Sequence, residues 1–64
     1  MTWIQVNSRA IAAIGYEDGA LFVQFHDNPE KYRLPNVPYS LFEAFLDAPS
    51  PGEFWNSHLR GKFK

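Results

Sequence analysis

The sequence predicts an α+β domain in which a three-stranded antiparallel sheet packs against two short C-terminal helices, in the order β-β-β-α-α. Three observations indicate this fold. Two apolar stretches flank a two-residue turn signal, a third stretch alternates polar and apolar residues, and two amphipathic helical patterns each follow a proline. With 64 residues, the chain lies near the lower limit for a core without disulfides or metal. We therefore expect residues 1–64 to form a single domain, and its six Phe, three Tyr and two Trp to supply a dense core.

The first two predicted strands, residues 9–16 and 20–26, form a hairpin. Asp18 and Gly19 lie between them and suit a type I′ turn, which needs two residues that tolerate positive φ. Successive side chains of the second strand point to opposite faces of the sheet. We expect the inward set to be Leu21, Val23 and Phe25, and the outward set to be Phe22, Gln24 and His26.

The third predicted strand covers residues 31–34 and follows a turn at residues 27–30. Charged and apolar residues alternate along it, which is typical of a strand with one buried and one solvated face. We expect Tyr32 and Leu34 to point inward and Lys31 and Arg33 to point toward water.

Two helices complete the predicted fold and should cover the inward face of the sheet. Pro38 suits the first turn of the first helix, which ends before Pro49 and has an apolar face of Leu41, Phe42, Phe45 and Leu46. Ser50 is the predicted N-cap of the second helix, because its hydroxyl can accept from the Glu53 amide while Pro51 occupies the first helical position. The Glu53 carboxylate can in turn accept from the Ser50 amide, which would complete a capping box. The apolar face of that helix comprises Phe54, Trp55, His58 and Leu59.

Composition excludes several classes of site. The chain has no cysteine, so a disulfide framework, a Cys-ligated metal and a thiol nucleophile are excluded, as is typical of proteins in a reducing cytoplasm. Neither a secretory signal nor an apolar run of about 18 residues is present, and we expect no membrane association. The formal charge of −1 argues against avid, non-specific binding of nucleic acid.

Enzymatic and metal sites are not indicated. His26, Asp27 and His58 lack the spacing of a metal site, and a third ligand would have to come from elsewhere in the fold. The serines lie in no nucleophile elbow, and no Gly-rich phosphate loop occurs. We expect a protein that is not an enzyme and that has neither metal nor cofactor.

Segments spread over nearly the whole chain are similar to a known family. These segments are Val6-Asn7-Ser8, Ile14 to Glu17, Leu21 to Phe25, Tyr32, Val37-Pro38, Ala48 to Asn56, Leu59-Arg60 and Phe63. In this order and spacing the chain resembles the KTSC domain, a module found at the C-terminus of some lysyl-tRNA synthetases and as stand-alone small proteins. The resemblance implies an RNA-binding role, inferred from that attachment, and brings no catalytic residues.

One position departs from the family pattern. The family has Tyr-x-Tyr in its third strand, where this chain has Tyr32-Arg33-Leu34. If both positions stacked on bases, Leu34 would remove one platform, whereas leucine is an acceptable substitute in a core. The substitution favours a core role for both positions.

RNA, either tRNA-like or single-stranded, is the first predicted partner, and the residues that would bind it combine positive charge with aromatic faces. They are Lys31, Arg33, Trp55, His58, Arg60 and Lys62. Each also has a structural explanation. In so small a domain Trp55 is expected to be at least partly buried, Lys31 and Arg33 would solubilise a sheet face, and cations in a last helical turn complement the helix dipole.

The alternative function is that of a protein-interaction module or inhibitor, whose partner is another protein or a second copy of the chain. Phe22 is predicted on the solvent side of the sheet, where a large apolar side chain indicates an interface. Together with Tyr16 and His26 it would form an outward patch. Gly15 indicates a bulge or a close backbone approach rather than a ligand contact.

Overall fold

A computed structural model describes residues 1–62 of the chain, apart from the side chain of Pro29. Phe63, one of the residues that carry the family resemblance, lies outside the described residues. The strands are β1 (Trp3–Gln5), β2 (Ile11–Glu17), β3 (Ala20–Phe25) and β4 (Asn28–Leu34). The helices are α1 (Tyr39–Asp47) and α2 (Pro51–Phe54), and a π-helical turn (Trp55–Leu59) continues α2. The predicted α+β class, with an antiparallel sheet and two helices, is confirmed.

The sheet has four strands, so the prediction of three was wrong. Its order is β1-β2-β3-β4, with each strand antiparallel to its neighbour. The strand missed by the sequence analysis is β1, which pairs with β2 so that Trp3 lies opposite Gly15. Three residues are too few to show a period-two pattern, and their extended conformation is stabilised by hydrogen bonds to β2, which is a tertiary effect.

The two hairpin turns differ in how well the sequence predicted them. Asp18 and Gly19 have φ of 53° and 76°, as the predicted type I′ turn requires. The next turn was predicted at residues 27–30, yet Asn28 already pairs with Phe25, so β4 begins three residues earlier than expected. A shift of register between Gln24 and Phe25 accommodates this tighter turn.

The core lies between the sheet and the helices, on the face predicted to be inward. It is built from Ile11, Ile14, Leu21, Val23, Leu34, Val37, Phe42, Phe45 and Leu59. The predicted apolar face of α1 is confirmed, because Phe42 and Phe45 are buried in this cluster and Leu41 and Leu46 pack against it. Strand β3 therefore contributes the alternate residues Leu21 and Val23. In β2 a shift of register between Ile11 and Ala13 brings Ile11 and Ile14, three positions apart, into the same core.

Two aromatic residues of the sheet are placed differently from the prediction. Tyr32 faces the helices but lies at the sheet edge, where 39% of it is exposed, whereas Leu34 is buried at 5%. Tyr16 was predicted to face outward. Instead its ring stacks on Phe42 at a centroid distance of 5.0 Å, and its hydroxyl donates to the Val37 carbonyl at 2.6 Å. The aromatic ring and this hydrogen bond hold Tyr16 on the helix side.

Helix α2 begins where the sequence predicted it. The Glu53 amide donates to Ser50 Oγ at 3.4 Å, and Pro51 follows the cap at the first helical position. Among the described residues the reciprocal bond of a capping box, from the Ser50 amide to the Glu53 carboxylate, is not present. Ser50 therefore caps α2 through one hydrogen bond.

Replacing Ser50 with alanine is expected to lower the free energy of unfolding by about 0.5–1 kcal/mol, because it leaves one amide of the first turn without its acceptor. Urea unfolding should show a lower midpoint at an unchanged slope. Ser57→Ala is the matched control, since Ser57 is exposed and lies within the π-helical turn. Equal midpoints for the two variants would contradict a capping role.

Candidate functional site

A groove at the free edge of β4 brings together aromatic and polar side chains from the sheet and the C-terminal segment. We call it the β4 groove, and it is lined by Phe25, Asn28, Tyr32, Trp55 and Arg60. Its volume is about 370 Å³. Ligand pockets in proteins range from about 300 to 1,000 Å³, so this one suits a single planar group rather than a large ligand.

Three rings form the apolar part of the β4 groove. Phe25 lies edge-on to Tyr32 at a centroid distance of 5.4 Å and edge-on to Trp55 at 5.3 Å. Tyr32 and Trp55 are 6.3 Å apart and tilted by 43°. All three packed rings retain exposed surface. The prediction that Trp55 would be partly buried is confirmed. Phe25 packs against the core as its predicted inward face requires, but it is only half-buried.

Polar groups border these rings. Asn28 Nδ2 donates to the Tyr32 hydroxyl at 3.0 Å, and Asn28 Oδ1 accepts from the Glu30 amide at 3.0 Å. This fixes the Asn28 amide and holds the phenol ring in place. The guanidinium of Arg60 reaches Asn56 Oδ1 at 3.5 Å and is otherwise exposed. The groove therefore combines fixed aromatic rings with a cation at its rim.

The π-helical turn explains why Trp55 and Arg60 lie together. The Arg60 amide donates to the Trp55 carbonyl, five residues earlier, at 2.7 Å. In an α-helix residues five apart point about 140° away from each other, because each residue turns the helix by about 100°. The wider π-helical turn places them closer together, and such turns occur frequently at functional sites.

The predicted RNA-binding residues occupy four places. Trp55 and Arg60 line the β4 groove. Lys31 and Arg33 lie on the same strand as Tyr32 but on its other side, since they oppose the outward residues Gln24 and Phe22. Two members lie elsewhere: His58 packs on Phe54 at 4.6 Å and borders a separate recess beside Pro49 and Ser50, and Lys62 is exposed in the last turn.

The outward patch predicted from Tyr16, Phe22 and His26 does not form. Tyr16 is on the opposite side of the sheet, as described above. His26 lies in the β3–β4 turn, where its Nε2 is 2.9 Å from the Ser8 carbonyl and its amide donates to Ala10. These contacts tie the turn to the segment before β2. Of the three, Phe22 alone lies on the outward side among the strand residues.

Phe22 has a different neighbour from those predicted. The ring of Trp3, on β1, meets it edge-on at 6.3 Å. We call this side of the sheet the open sheet face; it carries Trp3, Phe22, Gln24, Lys31 and Arg33. The helices and the core lie on the other side.

Sequence reasoning missed four residues that these two surfaces use. They are Phe25, Asn28, Tyr32 and Trp3. Phe25 and Tyr32 stand at positions where the alternating pattern predicts burial in the core. They are partly exposed because they lie near the edge of the sheet, and the order of the strands decides where that edge is. A signal existed for Asn28, because Asn before Pro favours a turn with side-chain hydrogen bonds. Trp3 belongs to the strand that the sequence did not predict.

Within residues 1–62, no three His, Asp or Glu side chains come together in a way that could hold a metal ion. In the same part of the chain, every helix is too short or too polar to cross a membrane.

A family model and a solved structure identify the same family for this chain. The sequence model of the KTSC domain family matches residues 7–63. The crystal structure of the KTSC domain protein YPO2434 from Yersinia pestis is similar to the fold, with a TM-score of 0.91 and 32% sequence identity. The match covers 98% of this chain and 90% of that one. Among curated protein sequences, none matches the chain significantly.

Proposed function

We propose that this chain, which belongs to the KTSC domain family, is a non-enzymatic module that binds single-stranded RNA at the β4 groove. The observation that carries this proposal is the combination of partly exposed Tyr32 and Trp55 rings with the exposed cation Arg60 at one groove. Unpaired bases stack on aromatic rings, and their phosphates pair with Arg and Lys. The lack of cysteine supports a place in the reducing cytoplasm.

Charge at the groove rim and along strand β4 favours a polyanion despite the net charge of −1. Arg60 lies at the groove rim. Lys31 and Arg33 lie on β4 with their side chains on its other side, and β4 has a single acid, Glu30. RNA binding depends on such local charge, because each neutralised phosphate releases counterions. We therefore expect affinity to fall steeply as salt is raised.

The groove geometry also argues for bases that are unpaired. The Tyr32 and Trp55 rings are tilted by 43° around Phe25, so they line a recess that a flat ring can enter from the side. In a duplex each base is already stacked and paired and cannot be inserted without unstacking. Single-stranded RNA is the form that this groove accepts.

Fluorescence anisotropy with labelled oligouridine of about 12 nucleotides tests the proposal, since known single-strand sites span about 4–16 nucleotides. Tyr32→Leu should weaken binding about tenfold, because it removes one stacking ring. Tyr39→Leu is the matched control: Tyr39 is 56% exposed and lies on α1, outside the groove. The test should be made at about 50 mM and 200 mM salt.

Equal affinities for Tyr32→Leu and Tyr39→Leu would contradict the β4 groove as the binding site. Absence of binding even at low salt would contradict RNA as the partner. The second candidate function, association with a protein, would then be favoured. It is supported by the free edges of β1 and β4, where a partner strand could add to the sheet.

A further inference from the structure

We propose that the open sheet face is a second stacking surface for the same RNA strand, an inference that rests on the proposed function. Trp3 and Phe22 are both half-buried and retain exposed ring surface on the side that the helices leave uncovered. Their centroids are 6.3 Å apart and their planes cross at 72°. Aromatic rings on the surface of a sheet stack on unpaired bases with little regard to sequence.

Gly15 lies between these two rings in the sheet. The strand register places Trp3, Gly15 and Phe22 side by side on β1, β2 and β3. Because Gly15 has no side chain, no side chain of β2 separates the Trp3 ring from the Phe22 ring. The side chain of Met1 lies against Gly15 on this face, since a Cβ added at Gly15 would be 3.0 Å from Met1 Sδ. The thioether of Met1 therefore borders the two rings.

Charge on the open sheet face is complementary to a polyanion. Arg33 lies directly opposite Phe22, and Lys31 lies opposite Gln24 in the next row. Both cations are exposed. Glu17 is the acidic residue on this side of β2, and it lies beyond both rows, next to the β2–β3 turn. Phosphates can therefore pair with β4 while bases stack on the rings beside it.

Strand β4 connects this face to the β4 groove. Tyr32 points into the groove, and its neighbours Lys31 and Arg33 point to the open sheet face. An RNA strand that crosses the free edge of β4 would reach both surfaces in turn. Linking two weak sites on one strand raises the affinity without new contacts, because the second site binds at a high effective concentration.

The two tryptophans allow each surface to be observed separately. Trp55→Phe leaves Trp3 as the sole tryptophan, which reports on the open sheet face. Trp3→Phe leaves Trp55, which reports on the β4 groove. Both substitutions keep an aromatic ring in place. Oligouridine of about 12 nucleotides should quench both reporters, because stacked bases quench indole fluorescence, whereas an RNA duplex of equal length should quench neither.

Each outcome decides between the two sites. Quenching of both reporters by the single strand supports the inference. Quenching of Trp55 alone overturns it and leaves the proposed function intact. Quenching of Trp3 alone supports the open sheet face and contradicts the β4 groove. Quenching of neither overturns both, and equal quenching by the duplex overturns single-strand stacking on the open sheet face.

Affinity provides a second measurement. Trp3→Leu should weaken oligouridine binding about tenfold through loss of one stacking ring. Ile4→Ala is the matched control, because Ile4 is on the same strand, 39% exposed, and faces the helix side. Equal affinity for the two variants would overturn the inference. So would a dimer, seen by sedimentation, that Phe22→Asp converts to a monomer, because it would assign the face to self-association.

Discussion

Phe45→Ala is expected to lower the free energy of unfolding by about 3–5 kcal/mol, as truncation of a buried Phe leaves both lost contacts and a cavity. Phe45 is fully buried, and its ring stacks on Phe54 at a centroid distance of 5.4 Å. It therefore joins α1 to α2 as well as to the sheet. Small domains have only about 5–15 kcal/mol of stability, so the variant should be partly unfolded at room temperature.

Phe25→Ala is the control for this prediction, because the same atoms are removed from a half-buried position. We expect a loss well below that of Phe45→Ala, measured by urea unfolding with both variants in the same buffer. If the two losses were equal, the assigned difference in burial would be contradicted. Near-equal stability of Phe45→Ala and the parent chain would contradict the position of the core itself.

Neutralising Lys31, Arg33 and Arg60 together, each to Gln, is expected to weaken oligouridine binding about 100-fold at about 0.1 M salt. Each phosphate contact on a single strand contributes about 0.7 to the slope of log affinity against log salt, so three contacts should lower that slope by about 2. The three side chains are exposed, and the fold should persist. Anisotropy titrations over a range of salt concentrations measure both quantities.

A control variant with the same change in net charge distinguishes the effect of local contacts on affinity from the effect of the protein's net charge. Arg9→Glu with Ser40→Glu also removes three units of positive charge. Arg9 borders a different recess and Ser40 is exposed on α1. Only a small loss of affinity is expected for this control. An equal loss in both variants would mean that the net charge, and not the three named side chains, determines binding.

The parts of the fold that the sequence predicted correctly are those with local causes. Asp18-Gly19 supports a type I′ turn by its own φ preferences, and Ser50-Pro51 starts a helix with an adjacent hydrogen-bond partner. The amphipathic period of α1 likewise follows from residues within one helix. The errors have tertiary causes. Strand β1 is extended because β2 is beside it, and Tyr32 is exposed because β4 is at the edge of the sheet.

The candidate site was predictable only in part for the same reason. Trp55 and Arg60 could be chosen by residue type, and the structure places both in the β4 groove. His58 has an equally suitable side chain but projects to another recess, where it packs on Phe54. A π-helical turn decides this difference, and no local pattern in Trp55–Leu59 indicates it. Residue type thus predicts which side chains could bind, whereas the backbone geometry determines which of them lie together.

The order of strands in the sheet has a kinetic consequence. Because each strand pairs with the one before it in the chain, every pairing closes only a short loop, and the entropy lost in closing it is small. Domains dominated by such local pairings fold faster than β-sandwiches or barrels of the same size. The sheet can thus assemble one hairpin at a time, and Leu59, buried in the core near the C-terminus, provides the long-range contact that completes the domain.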